Sequence, residues 1–148
     1  MSTNHEVDTE AVGSSGFALK NIEIPHFGEV ECGFPSPATD YIESNLNLHE
    51  FLIKKPVATF FMRAKGDSMI GAGIFSGDLL IVDRSIEVRS GHVIVASIQG
   101  QFTLKRYLKV EGRAMLAPEN QKYKSVEIIE GSEFQVFGVV TFNIHRHL

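Results

Sequence analysis

Seven runs of β-branched and aromatic residues occupy the chain from residue 57 almost to its end. They are VATFFMRA (57–64), DLLIVD (78–83), HVIVASI (92–98), QFTLKRYLKV (101–110), RAMLAP (113–118), SVEIIE (125–130) and FQVFGVVTFNI (134–144). Gly, Asn and Pro punctuate them in IQGQ, VEGR, PENQ and IEGS. Many short strands joined by short turns require a mainly β domain. The last run is apolar on both faces, which places it either at the centre of a sheet or at an interface. No internal repeat is present.

The N-terminal part reads differently. Residues 1–16 are Ser, Thr, Gly and acids with almost nothing to bury, and are expected to be disordered. Residues 17–32, FALKNIEIPHFGEVEC, mix apolar and charged residues around Pro25 and Gly28, as an extended arm would. After Pro35 a short helix is predicted over SPATDYIESNLNL, with Ser36 as N-cap, Pro37 at the first helical position and Asp40 near the positive end. A second helical turn is predicted at NLHEFLI, capped by Asn47. The fold expected is therefore a compact β domain with short helices near its N-terminus and an extended, partly disordered arm.

Composition excludes several functions. The chain has 148 residues, 43% hydrophobic and 22% charged, the balance of an ordinary soluble globular domain. No apolar run reaches the roughly 18 residues needed to span a membrane, and the acidic N-terminus is not a signal peptide. The single cysteine, Cys32, cannot form an internal disulfide, which fits a cytoplasmic setting. There is no His/Cys cluster at ligand spacing, so neither metal nor cofactor is expected. The net charge of −4 divides into −5 on residues 1–32 and +1 on the rest. No Lys/Arg block or helix-turn-helix pattern supports direct, sequence-specific DNA binding.

Chemistry concentrates in AKGDSMIGAGIFSGDLLIVD, where Ser68 sits in a glycine-rich turn between Asp67 and Met69. A Gly-Asp-Ser turn is most often only a turn. A nucleophilic serine needs a base, and the residues leave two open. His92 could serve, with Asp78 or Asp83 as orienter, although such a histidine is more often a polar strand-entry residue. Lys105 could serve, because it lies inside the apolar run QFTLKRYLKV. There, period two puts Thr103, Lys105 and Tyr107 on one face and Phe102, Leu104, Arg106 and Leu108 on the other. A solvated strand face is the plain reading of that lysine. A desolvated, neutral amine taking the Ser68 proton is the sharper one.

KGDSMIGAGIFSGDLLIVDRS, GHVIVASIQGQFTLKRY and FQVFGVV, in this order, resemble the LexA/UmuD family of self-cleaving serine peptidases from about Glu31 to Thr141. CGFPSPATDYIE followed by LNLHEFLI is similar to the UmuD branch, whereas the LexA branch carries a DNA-binding domain in place of a short arm. The resemblance implies that Ser68 is the nucleophile, Lys105 the general base and Cys32–Gly33 the bond cut. Met69 would contribute a backbone oxyanion donor. Residues 1–32 would be the arm removed and 33–148 the peptidase-like domain. It further implies stimulation by a RecA filament on single-stranded DNA. The trimmed homodimer would then act with an error-prone UmuC-type polymerase in translesion synthesis during the SOS response to DNA damage. Glycine at 33 would leave the Cys32 carbonyl open to attack, with Cys32 a small apolar pocket filler. The alternative from another class is a non-catalytic module that regulates a DNA polymerase by binding alone. A repressor would need a DNA-binding head that an acidic arm of 32 residues does not supply.

Overall fold

The computed structural model describes residues 22–35 and 42–148. It divides into two units, the first ending at Leu48 and the second running from His49 to Leu148.

The first unit is built on a two-stranded antiparallel sheet of β1 (Ile24–Phe27) and β2 (Ile42–Leu46). Ile24 faces Leu46, Pro25 faces Asn45 and His26 faces Ser44. The register then shifts so that Phe27 faces Ile42. β1 realises the extended arm. β2 corrects the helix predicted after Pro35: residues 42–46 are strand, and 36–41, with the proposed cap Ser36 and with Pro37 and Asp40, lie outside the described residues. The sequence is ambiguous for a physical reason. Ile42 and Leu46 are four apart, a spacing that puts them on one face of a helix and equally on one face of a strand. Pairing with β1 decides between the two. Cys32 and Gly33 lie in an exposed bend between the paired strands.

A helical turn, α1 (Leu48–Leu52), begins on the last residue of the first unit and runs into the second, closed by a bond from Ile53 N–H to His49 O of 2.9 Å, directly after the predicted cap Asn47. Pro56–Ala58 is a 3-10 turn where sequence predicts the start of a strand, and Pro56 suits its first position. The strands are β3 (Thr59–Arg63), β4 (Leu79–Asp83), β5 (Val93–Ile98), β6 (Gln101–Val110), β7 (Arg113–Ala117), β8 (Val126–Glu127) and β9 (Phe134–Ile144). They make one sheet in the order β3-β4-β9-β5-β6-β7-β8, every pair antiparallel. Gln99 and Gly100, with φ of 49° and 76°, form the two-residue turn between β5 and β6. Positive φ at both places is the twist-matched hairpin geometry.

The core lies on both faces of this sheet. Alternate residues of β5 divide between two clusters: Val95 packs with Met69, Ile74, Leu80 and Val82, whereas Ile94 and Ala96 pack with Leu116 and Val139. That two-sided burial is why β5 reads as an unbroken apolar run. β9 is central, between β4 and β5. Its pairing slips by one residue twice, at Phe137 against β5 and at Thr141 against β4. Each extra residue exchanges the faces of the strand beyond it, so a strand apolar on both sides serves both clusters. Among the described residues no helix is long and apolar enough to cross a membrane.

Candidate active site

Between β3 and β4 the chain makes the glycine-rich turn that carries Ser68. Gly66, at φ 95°, takes a backbone conformation open mainly to glycine, and its N–H donates to Ser76 Oγ at 3.1 Å. Met69 is buried in the first core cluster and anchors the turn. Its carbonyl accepts from Ala72 N–H at 3.0 Å, opening the 3-10 turn Ile70–Ala72. The backbone N–H groups of Ser68 and Met69 donate to no backbone carbonyl among the described residues. That leaves two adjacent donors beside the serine hydroxyl.

Lys105 comes from the middle of β6, 37 residues on, and its Nζ donates to Ser68 Oγ at 3.0 Å and to Leu104 O at 2.9 Å. In the sheet Lys105 is registered opposite Ile94, which is fully buried. Burial lowers the Lys105 pKa from its ordinary 10.5, because removal of water penalises the cation. The two side chains share a cleft of about 220 Å³ whose walls include Met62, Leu80, Val95 and Phe102. A hydroxyl, an amine of depressed basicity and neighbouring backbone N–H groups in one cleft, whose walls also include Arg63, Lys65 and Thr103, can perform acyl transfer.

The histidine alternative is not assembled. His92 Nδ1 accepts from Arg89 N–H at 3.1 Å in a turn, and His92 is absent from the walls of the Ser68 cleft. Its suggested orienters are engaged elsewhere. Asp83 Oδ1 accepts from Ser85 N–H and Oγ. Asp78, almost fully buried, accepts from Phe75 N–H and Asn143 Nδ2, each at 2.9 Å, and pairs with His145 Nδ1. Burial alone would raise the Asp78 pKa, but the bonds from Phe75, His145 and Asn143 outweigh it and hold the carboxyl below its usual range. Asn143 Nδ2 also donates to Gly73 O at 2.9 Å, so this pair supports the segment after Ser68.

One set of site residues is unmarked in the sequence. Glu119, Asn120 and Tyr123, in a segment that reads only as turn punctuation, bond directly to Asp67, Ser68 and Gly71. Asn120 and Tyr123 stand 53 and 56 residues from Asp67, and no local pattern reports such a pairing.

The structure thus sets Ser68 against Lys105 and leaves His92 outside their cleft. The chain belongs to the Peptidase S24-like family, whose profile matches residues 25–141, and so to the self-cleaving proteases of the LexA/UmuD type. It is 46% identical over 114 residues to protein SamA of Salmonella typhimurium, spanning 77% of this chain and 79% of that one. Protein MucA of Escherichia coli is 40% identical over 119 residues, 80% of this chain and 81% of its own. The LexA repressor of Hahella chejuensis is 36% identical over 109 residues, 74% of this chain but 54% of the repressor.

Proposed function

We propose that this chain is a serine endopeptidase whose substrate is its own arm, cut once between Cys32 and Gly33. The observation that carries the reading is the 3.0 Å approach of Lys105 Nζ to Ser68 Oγ, with burial lowering the basicity of the amine. Neutral Lys105 takes the hydroxyl proton as Ser68 Oγ attacks the Cys32 carbonyl. The N–H groups of Ser68 and Met69 stabilise the oxyanion. As the Cys32–Gly33 bond breaks, the Lys105 ammonium gives its proton to the leaving Gly33 amine. Water, deprotonated by Lys105, then hydrolyses the ester on Ser68 and frees both fragments.

Membership of the LexA/UmuD type supports the remaining roles. A RecA filament on single-stranded DNA promotes the cut in the cytoplasm. The trimmed domain, as a homodimer, is the accessory subunit of an error-prone, UmuC-type polymerase. The test is incubation of purified wild type and Ser68→Ala at alkaline pH, with and without the filament, read by intact mass. Wild type should yield residues 1–32 and 33–148, faster with the filament, and Ser68→Ala should stay whole. A new N-terminus other than Gly33 would overturn the assigned bond. Wild type that stays intact in every arm would leave the binding-module reading in place.

A further inference from the structure

The turn that carries Ser68 is held from outside its own hairpin, by the segment after β7. Glu119 N–H donates to Ser68 O at 2.8 Å, and Glu119 O accepts from Gly71 N–H at 2.8 Å. The backbones approach so closely that a Cβ at residue 71 would lie 2.5 Å from Glu119 O. Asn120 Nδ2 donates to Asp67 O at 2.9 Å, while its Oδ1 accepts from Lys122 N–H at 3.1 Å. The second bond fixes which end of the amide faces Asp67. Tyr123 OH donates to the Asp67 carboxylate, and this bond raises the Tyr123 pKa and keeps the phenol protonated.

The same segment reaches the strand that carries the amine. The Glu119 carboxylate pairs with Arg106, whose guanidinium also donates to Gly91 O at 2.6 Å. Arg106 is the next residue after Lys105 in β6. The contacts therefore close a ring: Ser68 to Glu119, Glu119 to Arg106, Arg106 along the strand to Lys105, and Lys105 back to Ser68. The glycine-rich turn and β6 are held in relative position by a third element.

We infer that Asn120 and Tyr123 are positioning residues for the Ser68 nucleophile, acting through Asp67 to hold the serine turn against Lys105. This rests on the peptidase reading above. Neither side chain needs to touch the substrate. Their part is to keep Oγ within reach of the amine and the two free N–H groups in place, where small displacements cost large factors in rate.

The test uses full-length chains carrying Asn120→Ala or Tyr123→Phe, beside wild type and Ser68→Ala. The first-order rate of self-cleavage is measured from neutral to alkaline pH, with Tm determined on each chain. At the high-pH plateau Asn120→Ala should cut about 10- to 100-fold more slowly and Tyr123→Phe about 3- to 10-fold more slowly. The pH midpoint should stay at the wild-type value, because the amine is unchanged, and Tm should stay within a few degrees. A merely structural role would instead lower the rate only in step with Tm. If Asn120→Ala does not fold, Tyr123→Phe, which removes one exposed hydroxyl, decides alone. Wild-type rates in the folded variants, or slowing that tracks the loss of Tm, would overturn the brace while self-cleavage by wild type keeps the peptidase reading intact. Wild type that never cuts itself overturns both.

Discussion

Lys105 begins as an ordinary lysine, charged in the unfolded chain at any physiological pH, and folding sets its stem opposite fully buried Ile94. Burial is the cause that lowers its pKa below 10.5. The unfolded chain therefore binds more protons between the folded pKa and 10.5, and this residue's contribution to stability rises with pH across that window. Below the folded pKa the full penalty for the buried cation applies. Self-cleavage should thus accelerate as pH rises through the folded pKa and then level off. Lys105→Ala should fold and not cut, with a stability at neutral pH equal to or above that of wild type once the cavity is allowed for. A pH–rate profile and denaturant titrations of the two chains check both outcomes. Retained self-cleavage by Lys105→Ala would exclude the amine as base. Ser68 and Lys105 are each marked locally in the sequence, one by a glycine-rich turn and the other by its place in an apolar strand. Asn120 and Tyr123 are not, since an Asn after Pro-Glu looks like any turn residue until the fold brings Asp67 beside it.

At the scale of elements, β9 carries the most information and the most strain on local rules. Its apolar run places it centrally, but its two register slips are invisible in the sequence, because alternation cannot be read where both faces are apolar. Gly138, just after the Phe137 slip, shows how closely the strands approach. A Cβ there would lie 2.6 Å from Val82 Cγ1 and 3.1 Å from Asp83 O. Gly138→Ala should therefore destabilise the sheet by about 1–3 kcal/mol through overpacking, seen as a lower Tm. An unchanged Tm would mean that β4 can yield. Most strands after residue 57 are legible because they have strand length and a turn signal at the end; SVEIIE is the exception, with only Val126–Glu127 in the sheet. The 42–46 segment is misread as helix because its apolar residues fit both periods and its partner strand lies at a distance. Pairing across a chain interval is a tertiary fact that local propensity does not encode.

For the whole molecule, the division at Leu48 and His49 means that the sheet, both core clusters and the Ser68–Lys105 pair all belong to the second unit. A chain of residues 33–148 should then unfold within about 4 °C of full-length Ser68→Ala, given that 1 kcal/mol shifts the Tm of a domain near this size by about that much. A larger fall would show that the arm supports the domain. The two-stranded sheet of the first unit has a different fate. Its strands lie on opposite sides of Cys32–Gly33, β1 before the bond and β2 after it. While the bond is whole, the two strands belong to one chain and pair at the high effective concentration of an intramolecular contact. After the proposed cut they would be separate molecules, and a lone strand pair is at best marginally stable in water. Under the proposed cut, hydrolysis would become a one-way step: β1 would diffuse away with its new carboxylate, religation would be lost to dilution, and β2, without its partner strand, would stay with residues 33–148 as a lasting record that the cut took place.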